Sequence, residues 1–524
     1  MNFYKKYIFK SNISILRGYN NLKNSNNLNF ILIVKHQFSL TKISLKKTFY
    51  FNFYFNDSYE NIQNAIRQYL IFDTASYSLN KSILKYFSSD GIKFSHPLPK
   101  IYLNILKEKN VKINFFKSKI LWCLYILKQI IKSYYIFFDL LFNSLLQKKM
   151  YNFVYFENLQ ERNISKNNGK EKNIINWYHE KFFKNENNIY VHSIRSINSK
   201  ILNNDYQLNF QKHPFITYLE IRKLFLYILW FIVSNILIFY FLITGKWQYT
   251  LMFPEVIKKK YVKLLNKKNL ALTYMFHNSS WIYRPLWTYD AENKGSKIIF
   301  YFYSTNIESF SINNNKKIQA NCWNIMTWPN IFVWDNFQKS FILNSISFKS
   351  NILITGPIWF TDIEDSIPKS YSRTIALFDI QPLRDLIFQQ LGMDYEYYIP
   401  DVINKFLIDI VEVATSLNFT ILYKKKKVLG RNTHIKYTKL IKELLSCKNL
   451  IHVNSEISAF KLIEKSDITI SIPFTSTSLI ASNMNKPTVY YDPTGLLWKE
   501  DPARHNIQII SNKQELHIWL EKQI

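Results

Sequence analysis

Short apolar segments alternate with helical segments through the C-terminal part of this chain. Strand-like runs fall at residues 374–379, 420–423, 450–453, 468–472, 488–491 and 508–510, with helical periodicity between them. Because parallel strands need long crossovers, which are usually helices, this alternation predicts a parallel sheet with helices on both faces. No other feature of the sequence restricts the possible folds as strongly.

A similar pattern precedes it. Strand-like runs are predicted at residues 151–157, 189–192, 269–276, 297–304, 331–334 and 352–355. The polar, proline-containing segment 362–371 is typical of a linker between domains. A chain of 524 residues, at roughly 100–200 residues per domain, has room for this division. We therefore predict an α/β fold with two Rossmann-like doubly wound domains, at residues 151–361 and 374–524, and a cleft between them.

Residues 1–150 are predicted to form a helical, partly apolar N-terminal extension, with a strand at 48–55 and a helix at 61–72. Residues 120–146 are apolar but carry three charges, which favours a packed or surface-lying helix over a bilayer span. Residues 224–243 carry no charge and have about the length of a span. A serine and an asparagine at the middle of 224–243 are polar residues that a bilayer span seldom carries at its centre. Burial in the protein core and contact with a membrane therefore both remain possible for this helix.

The overall charge favours anionic partners. The net charge is +31, although the abundance of Lys, Asn and Ile also fits a bias in base composition. We expect a nucleotide-linked sugar or a membrane surface rather than nucleic acid, for which no binding motif is present. The three cysteines form no paired motif, so no zinc or disulfide framework is predicted. The N-terminal half has no Asp-Xaa-Asp between a strand and a loop, so no metal-dependent nucleotide-sugar site is predicted, and no cofactor is expected. Without an N-terminal apolar segment of signal-peptide length, we expect a cytoplasmic protein at the inner face of the cytoplasmic membrane.

The segment after the run at 468–472 is the strongest candidate for ligand contact. A proline and a phenylalanine lead into four consecutive hydroxyl residues at a predicted helix start: Thr475, Ser476, Thr477 and Ser478. Ligands bind beyond the carboxyl ends of strands in open α/β sheets, and helix N-termini favour anions. Four hydroxyls exceed what a helix cap requires, which favours phosphate binding over an ordinary capped turn.

Charged residues follow two other predicted strands of the second domain. Among the cations after 420–423, Lys425, Lys427 and Arg431 could neutralise a diphosphate, whereas the other lysines are expected to be solvated. Asp379 ends the run at 374–379. It is predicted to face the cleft and bind substrate, or else to cap the strand end.

Polar and aromatic residues cluster after the run at 269–276, a mixture that suits sugar binding. His277, Asp290 or Glu292 could act as the general base that deprotonates an acceptor hydroxyl. Arg284 in the same segment is a candidate for substrate binding. A tryptophan-rich core turn is the alternative for this cluster.

The motif Pro473-Phe474-Thr475-Ser476 resembles the hallmark of bacterial polysaccharide-biosynthesis proteins named for a Pro-Phe-Thr-Ser motif, and residues 276–306 and 485–493 are similar to the same family. The resemblance implies a GT-B-like glycosyltransferase of surface polysaccharide biosynthesis, and the absence of an Asp-Xaa-Asp motif predicts that it is metal-independent. Such an enzyme would transfer a sugar or related group from a nucleotide-linked donor to a glycan or lipid-linked acceptor. Ile480 occupies the position where many GT-B enzymes hold the donor ribose with a glutamate, which favours a CMP- or CDP-linked donor over a UDP-linked one. A non-catalytic sugar- or membrane-binding component of a polysaccharide assembly complex is the alternative.

Overall fold

The structure is a computed structural model. It describes residues 2–25, 27, 29–43, 45, 49–74, 77–88, 91–145, 152–157, 159, 174–182, 189–193, 202–203, 206–210, 212–277, 282–305, 308, 310–312, 322–358, 367, 372–384, 397–426, 429–430, 432–455 and 457–524. The linker predicted at 362–371 lies outside these residues except for Ile367.

A helical region opens the chain, as the sequence predicts. Its helices are α1 (Asn2–Asn24), α2 (Phe30–Leu40), α3 (Phe49–Phe55), α4 (Tyr59–Tyr69), α5 (Tyr77–Phe87), α6 (Lys100–Glu108) and α7 (Phe115–Leu145). The strand predicted at 48–55 is wrong, because these residues form α3. Phe51, Tyr54 and Phe55 are all buried, a spacing of three and four residues that places them on one face of a helix. The aromatic residues of this run fit both the two-residue period of a strand and the three- and four-residue spacing of a helix. Packing among the surrounding helices favours the helical spacing.

The first sheet contains strands β1 (Phe153–Phe156), β2 (Ile189–Ser193), β3 (Leu202–Asn203), β4 (Tyr206–Phe210), β5 (Thr273–His277), β6 (Lys297–Tyr301), β7 (Asn330–Val333) and β8 (Asn351–Ile354). Their order is β3-β4-β2-β1-β5-β6-β7-β8, and all neighbours are parallel except β3 and β4. The helices of this part are α8 (Ile174–Phe182), α9 (Ile221–Ile243), α10 (Trp247–Leu251), α11 (Phe253–Leu264), α12 (Trp287–Asn293) and α13 (Asn336–Ser345). The strand order changes direction between β1 and β5, as in a doubly wound sheet.

The second sheet contains strands β9 (Thr374–Phe378), β10 (Thr420–Lys424), β11 (Leu450–Val453), β12 (Ile468–Ser471), β13 (Thr488–Tyr491) and β14 (Ile509–Ile510). Its helices are α14 (Pro400–Ser416), α15 (Ile435–Leu444), α16 (Ala459–Lys465), α17 (Ser476–Asn483) and α18 (Lys513–Glu521). All described pairings are parallel, in the order β11-β10-β9-β12-β13-β14. This is the strand order of a Rossmann fold, so the predicted fold class of two Rossmann-like sheets after a helical region is confirmed.

The helical region packs directly on the first sheet and is not a detached extension. The Gln68 side-chain amide donates to the Ile325 carbonyl at 2.6 Å and to the Thr327 hydroxyl at 2.8 Å, and the Tyr54 hydroxyl donates to the Tyr249 carbonyl at 2.9 Å. All of these atoms are buried. The helical region and the first sheet therefore share one hydrophobic core.

Candidate functional site

The second sheet changes direction between β9 and β12, and ligands of open α/β sheets bind beyond the carboxyl ends of strands at such a point. Asp379 directly follows β9, and the four hydroxyl residues predicted to bind phosphate shortly follow β12. The strands pair in parallel, with Phe378 opposite Ser471. Residues far apart in sequence thus meet at one edge of the sheet.

Asp379 is buried in a network with two tyrosines. Its Oδ2 accepts hydrogen bonds from the hydroxyls of Tyr423 at 2.9 Å and Tyr437 at 2.7 Å, and the two hydroxyls are 2.7 Å apart. Its Oδ1 has no hydrogen-bond partner within the described part of the chain. Burial raises the pKa of Asp379 to about 6, against the tyrosine hydrogen bonds and the charge of Lys426, which lower it. A carboxyl group of this kind can accept a hydrogen bond from a ligand with its second oxygen.

The hydroxyl residues after β12 form a compact turn. The Thr475 hydroxyl donates to the Ile472 carbonyl at 2.8 Å, and the hydroxyls of Ser471 and Thr477 are 2.7 Å apart. Ser478 is fully buried, and its hydroxyl has no hydrogen-bond partner among the described residues. The first turn of α17 contains no acidic residue, so the positive end of the helix dipole is not neutralised locally.

Ser476 joins the two sheets. Its hydroxyl accepts a hydrogen bond from the backbone N–H of Thr305 at 2.8 Å and lies 3.0 Å from the Ser304 hydroxyl. Ser304 and Thr305 follow β6 of the first sheet, while Ser476 follows β12 of the second. The carboxyl edges of both sheets therefore face each other. Ser476 is predicted from sequence to contact phosphate, and its bridge to the first sheet was not predicted.

His277 lies at the corresponding edge of the first sheet, as the last residue of β5. Its ring is 5.6 Å from the ring of Tyr303, the residue before Ser304. Burial lowers the pKa of His277 to about 4, so its imidazole is neutral at pH 7. Glu157 was not predicted as a site residue from sequence. It follows β1 on the other side of the switch point, and its backbone N–H donates to the Met275 carbonyl at 2.9 Å.

Arg284 and Glu292 already have partners within the protein. Nε of Arg284 donates to the Thr288 hydroxyl at 3.1 Å, Nη1 donates to the Thr327 carbonyl at 3.0 Å, and Nη2 pairs with Glu292. The guanidinium also lies over the Tyr289 ring at 3.8 Å. These contacts hold α12 and its preceding turn in place, and the predicted substrate-binding and catalytic roles stay predictions.

Asp290 belongs to a buried ionic cluster with the helical region. Lys259 Nζ lies 2.7 Å from Asp290 Oδ2 and 2.6 Å from Asp57 Oδ2. Burial raises the pKa of Asp290, against the charge of Lys259. Asp290 therefore forms an ion pair with Lys259. Its predicted catalytic role stays a prediction.

The predicted cations of the second domain are only partly described. Lys425 follows β10 and is half-buried. Lys427 and Arg431 lie outside the described residues. The loops after β9 and β10 are joined to each other, since the Arg384 backbone N–H donates to the Asn432 carbonyl at 2.8 Å. This contact keeps Asn432, in the loop after β10, beside the segment that carries Asp379.

A second contact between the sheets was not predicted from sequence. His505 of the C-terminal part lies 2.6 Å from Asp335 Oδ2 through Nδ1 and 3.0 Å from Glu308 Oε1 through Nε2. Burial opposes a charged imidazole, but the hydrogen bonds and charges of Asp335 and Glu308 outweigh it and raise the pKa of His505 to about 9. Nearby, the Phe310 and Phe474 rings stack at 4.4 Å. Phe474 belongs to the turn after β12, so this contact packs that turn against the residues that follow β6.

No group of three or more His, Cys, Asp or Glu residues suited to a metal ion occurs among the described residues.

Comparison with protein families matches residues 228–520 to the model described as "Polysaccharide biosynthesis PFTS motif protein". Comparison with curated proteins gives no match. Solved structures with some similarity include the glycotransferase of kitacinnamycin (8% identity, 71% of this chain and 90% of that chain covered, TM-score 0.35). Another is the wall teichoic acid polymerase TagF with CDPG (10% identity, 76% of this chain and 88% of that chain covered, TM-score 0.38). A third is a glycosyltransferase from Rickettsia africae (12% identity, 72% of this chain and 88% of that chain covered, TM-score 0.34). Likeness at these TM-scores does not assign a reaction to this chain.

Proposed function

The chain belongs to the family of polysaccharide biosynthesis PFTS motif proteins, and we propose that it is a metal-independent, GT-B-like glycosyltransferase. It transfers a sugar or related group from a nucleotide-linked donor to a glycan or lipid-linked acceptor. One observation carries the proposal: the carboxyl edges of the two Rossmann-like sheets meet at the hydrogen bonds between Ser476 and residues 304–305. Donor and acceptor groups held at the two edges would therefore lie close together.

The donor is assigned to the second sheet. Its phosphates would contact the N-terminus of α17 and the hydroxyls of Thr477 and Ser478, with Lys425 as a nearby cation. Oδ1 of Asp379, which has no hydrogen-bond partner among the described residues, would accept a hydrogen bond from the nucleoside or sugar. Ile480, where a ribose-binding glutamate is common, favours a CMP- or CDP-linked donor over a UDP-linked one.

The acceptor is assigned to the first sheet, with His277 as the general base. A neutral imidazole can remove the proton of an attacking hydroxyl while that oxygen bonds to the sugar carbon and the nucleotide phosphate leaves. The departing negative charge would be stabilised by the helix N-terminus and the hydroxyls that bind the donor phosphates. Asp290 and Glu292 are the alternative bases, although each already has a cationic partner.

Donor binding is tested by calorimetry on the full chain after a thermal-shift screen of CMP-, CDP-, UDP- and GDP-linked sugars. The double variant Thr477→Val with Ser478→Ala is expected to weaken donor affinity by at least about tenfold, because it removes two hydroxyl donors. Ser482→Ala, on the exposed side of the same helix, is the matched control. Equal donor affinity in the double variant and the control would contradict the donor assignment.

Catalysis is tested separately with His277→Gln. We expect this variant to bind the donor as the wild type does but to lose donor turnover, measured as nucleotide release. The alternative function, a non-catalytic component of an assembly complex, predicts no nucleotide release from the wild type with any donor in the screen. Turnover that is unaffected in His277→Gln would exclude His277 as the base.

We also assign the protein to the inner face of the cytoplasmic membrane. This part of the proposal is supported by two helices, Phe115–Leu145 and Ile221–Ile243, that are long and apolar enough to cross a membrane by length and composition.

A further inference from the structure

Helices α7 and α9 present a broad apolar surface to solvent. We define the apolar face by six of its residues, each between about half and two thirds exposed: Leu127, Ile131 and Phe142 of α7, and Ile232, Ile236 and Phe239 of α9. Residues 224–243 contain no charge. A surface helix of a globular protein normally carries polar residues on its outer side, so a helix that is apolar on its exposed side calls for a partner.

The two helices form one continuous surface. The Phe137 and Phe231 rings stack at 3.6 Å, and the Tyr134 hydroxyl donates to Asn235 Oδ1 at 2.6 Å. The opposite sides of both helices pack on the protein, where Leu140 of α7 and Tyr227 and Phe241 of α9 are fully buried. The buried sides anchor the pair to the first domain, which leaves the apolar face pointing outward as a single unit.

The sheet topology decides between crossing and lying along a bilayer. Strand β1 precedes α9 and β5 follows it, yet Val154 pairs with Thr273 in one parallel sheet. If α9 alone crossed a bilayer, β1 and β5 would lie on opposite sides of the membrane. Helix α7 precedes both strands, so a second crossing at α7 would not bring β1 and β5 to the same side. A crossing at α7 alone would separate Gln68, which precedes α7, from Ile325 and Thr327, to which it donates hydrogen bonds. Both helices must therefore run along the membrane surface.

The charges around the apolar face indicate which surface it contacts. Lys117, Lys119, Lys128 and Lys132 of α7 are exposed. The single acidic residue of α7, Asp139, is already paired with Lys212. With a net charge of +31, two copies of the chain would repel each other, whereas anionic headgroups would be attracted.

We propose that α7 and α9 dock together on a bilayer that contains anionic lipids, in the plane of the interface, with the apolar face inserted among the acyl chains. Amphipathic helices bound in this way enter the headgroup and acyl boundary by roughly 5–10 Å. The inference deepens the membrane assignment of the proposed function, because it names the docking surface, its orientation and the lipid charge. The lysines contact headgroups, and the apolar face excludes water.

The full chain is tested by flotation with vesicles of phosphatidylcholine, with and without phosphatidylglycerol. The triple variant Ile232→Gln, Ile236→Gln, Phe239→Gln is expected to bind anionic vesicles roughly 100-fold more weakly than the wild type, since each lost apolar side chain contributes several-fold to tenfold. The matched control is Leu343→Gln, Ile435→Gln, Ile518→Gln, three exposed apolar residues on other helices. The control is expected to bind as the wild type does.

A second readout uses Cys123, an exposed cysteine of α7. An environment-sensitive dye on Cys123, in a Cys447→Ser background, is expected to shift to the blue with anionic vesicles. Vesicle binding that is equal in the triple variant and the wild type, no binding to anionic vesicles, or an unshifted dye would each overturn the proposal. Dimerisation that the triple variant abolishes, without vesicle binding, would assign the face to a second copy instead. Donor affinity without vesicles is expected to stay unchanged in the triple variant, so failure here is distinguishable from failure of the donor site.

Discussion

The His505 cluster predicts a pH-dependent contact between the two sheets. The pKa of His505 rises from 6.5 to about 9 in the folded chain, after burial has been outweighed by Asp335 and Glu308. With a side chain 1% exposed, this shift corresponds to roughly 3 kcal/mol of stabilisation when fully expressed. Because the folded pKa is above the unfolded one, the stabilisation is fully present below pH 6.5 and is lost as the pH rises through about 9.

His505→Gln removes the charge and leaves two carboxylates without their cation. We expect the thermal midpoint of this variant to lie several degrees below that of the wild type at pH 6, and the difference to shrink towards pH 9.5. His517→Gln is the matched control, since His517 is 40% exposed and pairs with Glu521 at 3.4 Å on one helix. A midpoint difference for His505→Gln that is the same at pH 6 and pH 9.5 would refute the reasoning.

Three further predictions concern other parts of the chain. Lys259→Met is expected to lower the thermal midpoint strongly, at a cost of about 3–5 kcal/mol, because it leaves two buried carboxylates unpaired; an unchanged midpoint in scanning calorimetry would contradict this. In the folded chain, Cys123 should react with a maleimide and Cys322 should not, since burial raises the pKa of Cys322 to about 11; mass spectrometry of the labelled peptides checks this. Ser476→Ala is expected to increase hydrogen exchange of residues 304–305 by severalfold, because it removes the acceptor of the Thr305 N–H; unchanged protection would argue against the bridge.

The local sequence pattern was sufficient to predict the strands of the second domain. Each of its strands is present within one residue of the predicted bounds, because short buried strands between amphipathic helices leave little choice of secondary structure. The alternation of strands and helices was weaker in the first domain, where β3 and β4 were not predicted from sequence. In the helical region, the aromatic run at 48–55 suited either a strand or a helix. Packing against neighbouring helices decided that this run forms the helix α3.

Part of the candidate site could be predicted from the sequence. The hydroxyl residues after β12 and Asp379 could be chosen because strand ends and helix starts are local features. Their partners could not, since Tyr437 is far from Asp379 in sequence and reaches it only through the sheet order. His505 gave no signal at all: a single histidine in a polar segment becomes a charged bridge only when Glu308 and Asp335 are folded against it.

The sequence by itself determined the secondary structure of the second domain, the motif that identifies the family, and the apolar character of residues 224–243. These depend on short-range periodicity and residue type, which the chain carries before it folds. The tertiary structure decided that Ser476 bridges two sheets and that α9 cannot cross a bilayer. The first conclusion depends on how the two sheets pack against each other and the second on which strands pair across α9. Both join segments that are far apart in sequence, so no local pattern records them.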